Sequence, residues 1–296
     1  MKISVVGSIN MDQTVTAPRI PQKGETLSGG SLSYIPGGKG ANQAVAMARL
    51  GADVEMFGCV GDDDNGNQLL ENLKQNGVKT DHIRRIAGVP TGLAIITVGE
   101  NDNTIIVVAG ANDQVDVSYV DSIRDELLKS DYVVLQHEIP AETVAYVIDL
   151  CHDNGIQVVL NPAPARPVSR ETLEKVTYVT PNEHEAKILF GTEAKTDELL
   201  RAYPGKLVIT LGSQGVAVGR PDGSVLHVPA RPAQVADTTG AGDTLNGAFC
   251  VKLAEGADLE EALQFANTAA SLSTEKFGAQ GGMPLRAEVE QELNRK

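Results

Sequence analysis

The sequence predicts an α/β protein: one doubly wound, mostly parallel sheet covered by helices, with a small second sheet projecting from it. Short β-branched runs alternate with stretches of helical period along most of the chain, the pattern of parallel strands joined by crossover helices. Several helical stretches are followed by a glycine just past their last apolar residue (Gly51, Gly77, Gly155, Gly256), as helix C-terminal caps are. Two stretches, about 13–35 and 91–110, break this rhythm and have no helical period.

Taken in order, the predicted strands of the main sheet are Ile3–Val6, Val54–Cys59, Tyr132–Gln136, Gln157–Leu160, Tyr178–Thr180 and Leu207–Leu211. The predicted helices are Gly40–Leu50, Gly66–Asn76, Val117–Leu128, Ala141–Asn154, Glu183–Phe190, Thr244–Glu255 and Leu259–Lys276. Of the irregular stretches, the first carries Pro18, Pro21, Gly24, Gly29 and Gly30 between short alternations. The second reads as a hairpin: Leu93–Val98, a turn over Gly99-Glu100-Asn101-Asp102-Asn103, then Thr104–Val108. Together they predict a small antiparallel sheet, discontinuous in sequence, on a single domain spanning 1–296. Val216–Val218 and Val225–Val228 flank Pro221-Asp222-Gly223 and are expected to finish the main sheet.

Composition narrows the function classes. The 296 residues carry 25 Lys plus Arg against 39 Asp plus Glu, a net charge of −14. Such a surface repels nucleic acid and anionic lipid, yet a helix N-terminus can still hold a small anion. No apolar run approaches the ~20 residues that cross a bilayer. The opening Met1–Gly7 has too short an apolar run for a signal peptide, which points to the cytoplasm. Cys59, Cys151 and Cys250 are far apart and lack C-x-x-C spacing, so buried thiols are expected rather than disulfides or zinc.

The strongest chemical signal is Asp237-Thr238-Thr239-Gly240-Ala241-Gly242-Asp243-Thr244, followed by an apolar-periodic helix. Gly240 and Gly242 let backbone approach a ligand closely, and free N–H groups at the helix start suit phosphate. A carboxylate beside a phosphate held by amides suits phosphoryl transfer to a hydroxyl, with Asp243 taking the proton. A second glycine turn, Pro36-Gly37-Gly38-Lys39-Gly40-Ala41-Asn42-Gln43, opens another helix. It is no P-loop, because Ser33 stands where the first glycine belongs and Gly40 follows the lysine. No G-x-G-x-x-G follows the first strand, which argues against a dinucleotide dehydrogenase.

Asn10 and Asp12 follow the first strand and Glu138 follows another, at the carboxyl edge where open α/β sheets bind ligands. With Asn42 they form a hydroxyl-binding set without clustered cations, which suits a neutral polyol. Asn182, with Glu185 three residues on, reads as a capping box, or alternatively as a carboxylate ordering Mg²⁺ through water. Thr210-Leu211-Gly212-Ser213-Gln214-Gly215 follows a strand, and its glycines let a base or phosphate lie on the backbone. The five histidines show no ligand spacing.

These segments, with Gly7–Asp12, Gly61-Asp62-Asp63 and Asn161-Pro162-Ala163-Pro164-Ala165, resemble the ribokinase-like (PfkB) family of carbohydrate kinases along almost the whole chain. The resemblance implies a Rossmann-like three-layer α/β/α domain with a β-sheet lid that often clasps the lid of a second copy in a homodimer. It implies ATP-dependent phosphorylation of the 5-hydroxyl of D-ribose. Other readings are a kinase of deoxyribose, fructose or a nucleoside, or a catalytically silent sugar sensor.

By resemblance, Asn10, Met11, Asp12, Gly38, Lys39, Gly40, Ala41, Asn42 and Glu138 lie at the sugar. Asn182, Thr210 to Gly215, Gly242, Asp243 and Asn267 lie at ATP. Asp243 is the base, and Gly240, Ala241 and Gly242 form the anion hole. A monovalent cation, K⁺, is implied at Asp237, Thr239, Ser273, Lys276, Gly278 and Gly282. Gly282 stands where the pattern often has a hydroxyl side chain, and Thr192–Lys206 is shorter than the family's usual helix there.

Overall fold

The computed structural model describes residues 1–100 and 102–295; Asn101, within the predicted hairpin turn, and Lys296 lie outside them. Five parallel strands form the centre of the molecule, in the order Tyr178–Val179, Gln157–Leu160, Tyr132–Leu135, Lys2–Val6, Asp53–Phe57. Parallel bridges from Val179 to Leu207 and from Asn182 to Thr210 join this sheet to an antiparallel unit of Val208–Thr210, Val216–Gly219 and Val225–Val228. The valine pair around Pro221-Asp222-Gly223 thus completes the main sheet, as expected.

Strand alternation sends successive side chains to opposite faces, and each face is covered by helices. Ile3, Val5, Tyr132 and Val134 enter one core with the helices Lys39–Arg49, Ala241–Ala254 and Leu259–Ser273. Val6, Val133 and Leu135 enter the other with Val117–Leu127 and Ala141–Asp153. The result is three layers, α/β/α.

A separate sheet is built from Leu32–Gly37, Asn10–Thr16, Gly92–Gly99 and Asp102–Val108, in that order. It is mixed rather than antiparallel throughout, because Asn10–Thr16 and Gly92–Gly99 run parallel. Both enter this sheet at the same end, where Asn10 stands opposite Gly92, so they must leave the core in one direction.

Several elements differ from expectation. The predicted strand Val54–Cys59 breaks at Gly58, and Cys59–Gly61 pairs instead with Arg84–Ile86. The last long helix ends at Ser273 rather than Lys276. Four short helices (Arg170–Lys175, Thr196–Ala202, Ala279–Gly282, Arg286–Leu293) lacked a period long enough to read. The three cysteines are buried free thiols. Among the described residues no helix is long and apolar enough to cross a membrane.

Candidate active site

The segments singled out by sequence meet at the carboxyl edge of the parallel strands. The helix Ala241–Ala254 starts one turn earlier than expected, with Gly240 as its N-cap in the left-handed region at φ 78°. A Cβ on Gly240 would lie 2.8 Å from Ala279, so only glycine lets this turn pack against the loop behind it. The N–H of Ala241 donates to the Thr238 carbonyl and that of Thr244 to Gly240. That leaves the N–H groups of Gly242 and Asp243 without a backbone acceptor among the described residues. Gly242 is exposed and has nothing near its Cβ position. Of the three residues assigned to the anion hole, Ala241 therefore has its amide engaged, while the amides of Gly240 and Gly242 have no acceptor among the described residues.

Asp243 sits one residue further on and is buried. Its Oδ2 accepts from Asn42 Nδ2 at 2.9 Å and its Oδ1 from Gln43 Nε2 at 3.0 Å. Burial holds its carboxyl above the ordinary carboxylate range, against the opposing pull of Lys39 and the two amides. Lys39 stands among acids: burial pushes its ammonium down, but Asp243, Glu138, Glu185 and Asp12 together hold it above its usual value. Asp12 shares the crowding. Burial first, then Glu138 and Asp243, raise its carboxyl from 3.8 to about 7 against the pull of Lys39.

The remaining sugar-side residues hold together the turns around Asp243. Glu138 Oε2 accepts from Ser8 Oγ at 2.6 Å and from Lys39 N at 3.0 Å, so it caps the helix Lys39–Arg49, whose own N-cap is Gly38. Gly38 has φ 89°, and a Cβ there would lie 2.7 Å from Asn10 N. Gly40 and Ala41 pack against Ser8, and Met11 is fully buried in the core. Asn10 Oδ1 accepts from Asn112 Nδ2 at 2.6 Å. Gln43, Asn112 and Ser8 were not singled out as site residues by sequence. Their only signal was nearness to the glycine turns, and Asn112 had none.

Two cavities adjoin here. A cleft of about 170 Å³ is lined by Lys39, Asn161, Asn182, Glu185, Asp243 and Asn246, among others. A pocket of about 540 Å³ lies beside it, within the usual size of a ligand site, with Ser213, Val235, Leu245, Asn267 and Ala270 on its walls. Thr210 and Gly242 line both. Gly212 and Gly215 also border the larger pocket, whereas Leu211 packs partly into the core and Gln214 is exposed outside the lining. Asn267 spends its donors on the carbonyls of Val228 and Pro229 and so shapes the wall.

Asn182 and Glu185 form the complete capping box, each backbone N–H donating to the other's side chain at 2.8 Å. Among the described residues no group of three or more His, Cys, Asp or Glu gathers as a metal site. Asp237 accepts from Thr239 N, Thr239 Oγ1 and Gly278 N, which hold its carboxyl below the ordinary range despite the opposing effect of burial. A Cβ on Gly282 would lie 2.2 Å from the Ser273 carbonyl oxygen and 3.4 Å from that of Lys276. The residues assigned to the cation are thus brought together, and their carbonyls and one carboxylate are donors that suit a weakly hydrated monovalent ion.

The geometry agrees with what the chain is similar to. The family model described as pfkB family carbohydrate kinase matches residues 1–286. This chain belongs to that family. It is 53% identical to the ribokinase of Bacillus subtilis, with 99% of each chain covered. The crystal structure of ribokinase from Thermotoga maritima superposes with a TM-score of 0.90 at 36% identity over 99% of each chain. That of Arabidopsis thaliana ribokinase, complexed with ribose and ATP, gives 0.91 at 34% over 98% of each. The chain is accordingly a carbohydrate kinase with the fold of these enzymes.

Proposed function

We propose that this kinase transfers the γ-phosphoryl group of ATP to the 5-hydroxyl of D-ribose, with Asp243 as the proton acceptor. The observation that carries this reading is the meeting of the two cavities at Gly242, with Asp243 on the smaller side. ATP fits the larger pocket, with its phosphates reaching the open N–H groups at the start of the helix Ala241–Ala254. Ribose fits the acceptor side, held by Asn10, Asp12, Lys39, Asn42 and Glu138; the names and bound ligands of the relatives favour ribose. The 5-oxygen attacks the γ-phosphorus as its proton passes to Asp243, the bond to the β-phosphate oxygen breaks, and ADP leaves. The open amides of this turn, Gly242 foremost, stabilise charge on the moving phosphoryl group.

Mg²⁺ would neutralise phosphate charge, with Glu185 reaching it through water. A monovalent cation, K⁺, held by Asp237 and the carbonyls around Gly282, would keep the amide turn in its phosphate-facing shape. The mixed second sheet, formed from about 13–35 and 91–110, serves as the lid over the sugar. Its exposed apolar strand favours a homodimer through paired lids. The free buried thiols favour the cytoplasm.

A turnover assay with ATP across pentoses and hexoses tests the substrate, and ribose is expected to give the highest kcat/KM. Asp243→Asn is expected to lower kcat by ~10²–10⁴ while sugar and nucleotide still bind. A mutant with undiminished kcat would remove Asp243 from the role of base.

A further inference from the structure

A chain of side-chain amides runs from the catalytic carboxylate to the far end of the helix Lys39–Arg49. Asn42 Nδ2 donates to Asp243 Oδ2 at 2.9 Å, and Gln280 Nε2 donates to Asn42 Oδ1 at 3.0 Å. Asn72 Nδ2 donates to Gln280 Oε1 at 2.7 Å. Asn76 Nδ2 reaches Asn72 Oδ1 at 3.4 Å and its carbonyl at 2.8 Å, and Arg49 Nε donates to Asn76 Oδ1 at 2.8 Å. Arg49 also donates to the Gln280 and Met283 carbonyls, so one guanidinium holds the short helix Ala279–Gly282 at Gln280 and just past its end.

The direction of this chain is determined by its ends. A guanidinium only donates and a carboxylate only accepts. Each of the four carboxamides between them must therefore accept on the Arg49 side and donate on the Asp243 side. Turning any one of them would set two carbonyl oxygens, or two NH₂ groups, face to face. Asn42 and Gln280 are each 5% exposed, so water cannot relieve such a clash cheaply.

We propose that Asn72, Asn76 and Gln280 are positioning residues that fix the amide polarity of Asn42, so that a donor rather than a carbonyl oxygen faces Asp243. This rests on Asp243 being the base. Donation to the carboxylate favours its ionised form and holds the oxygen that takes the proton in place. Gln280 lies between Gly278 and Gly282, so the same chain couples the loop assigned to the cation with the acceptor site.

The decisive variant is Asn72→Asp, at a half-buried position remote from the substrates. The new carboxylate still accepts from Asn76 but cannot donate to Gln280. Gln280 then turns its Nε2 toward it, Asn42 turns in response, and a carbonyl oxygen faces Asp243. The expected result is a kcat lowered ~10- to 100-fold, as loss of outer-shell partners costs elsewhere. The acidic limb of the kcat–pH profile moves up by about one pH unit, with the KM for ATP unchanged.

Asn72→Ala only interrupts the chain and should cost much less. Gln280→Met keeps the volume, removes the donor to Asn42, and is a second arm should the first variant fold poorly; it leaves the Asn42 amide unheld rather than reversed, so it should move the acidic limb the same way but by less. Equal effects of Asp and Ala at position 72, or a wild-type pH profile in Gln280→Met, would overturn the proposal. Asp243→Asn separates the two levels: if it stays active, the assignment of the base falls. If it is inactive while the Asn72 and Gln280 variants behave as wild type, only the positioning role falls.

Discussion

Asp12 shows how the site's chemistry is set against the stability of single residues. In the folded chain its carboxyl keeps its proton up to about 7, whereas in the unfolded chain it releases it near 3.8. Across that window the folded state binds more protons, so stability falls as pH rises, by at most roughly 4 kcal/mol once both states are ionised. Asp12→Asn removes the ionisation. It should raise the melting temperature at pH 8, leave it unchanged at pH 4, and raise the sugar KM with little change for ATP. Thermal melts at the two pH values check this; the same shift at both would mean that Asp12 ionises as freely folded as unfolded.

At the scale of elements, the short helix Ala279–Gly282 shows why neighbouring glycines are not equivalent. A Cβ on Gly282 would lie 2.2 Å from the Ser273 carbonyl oxygen, backbone against backbone, whereas a Cβ on Gly281 meets nothing within 4 Å. The missing hydroxyl at position 282 thus has a steric reason. Gly282→Ala should destabilise the chain by ~1–3 kcal/mol through overpacking, while Gly281→Ala should be neutral or slightly stabilising. If the carbonyls of Ser273 and Lys276 face a bound cation, Gly282→Ala should also weaken activation by KCl at constant ionic strength, and Asp237→Ala should abolish it. Equal melting temperatures for the two alanine variants would contradict the packing argument; a flat KCl titration of the wild type would leave Asp237 with its turn-holding bonds alone.

At the scale of the whole molecule, the second sheet leaves an unusual surface. Ile105, Ile106, Val107 and Val108 are all exposed in succession, so both faces of that edge strand are open, and Leu32 and Tyr34 are exposed on the opposite edge strand. One apolar face is expected of a cover over a small sugar; two faces leave room for a second occupant, and the proposed paired lid would fill that place. Ile106→Asp should therefore convert a dimer into a 31.2 kDa monomer in analytical ultracentrifugation and raise the sugar KM. A wild type that sediments as a monomer would rule out the lid-to-lid dimer.

The amino-acid sequence by itself determined the layer order, the strands of the parallel sheet and the two glycine turns. These depend on local period and on glycine's backbone freedom, which short stretches record. It also placed Asn10, Asp12 and Glu138 at one edge, because parallel strands put all their carboxyl ends on the same side. Short helices such as Ala279–Gly282 escaped, since one turn is too brief to show a period. Only the tertiary structure decided which amide faces which. Gln280 and Asn42 are 238 positions apart and Gln43 and Asp243 are 200 apart, so no spacing in the chain relates them. The burial that lifts Asp12 and Asp243, with Glu138 adding to both, was equally invisible, because it arises when the lid strand, the loop after Leu135 and the helix Ala241–Ala254 converge and exclude water from carboxylates that the sequence keeps apart.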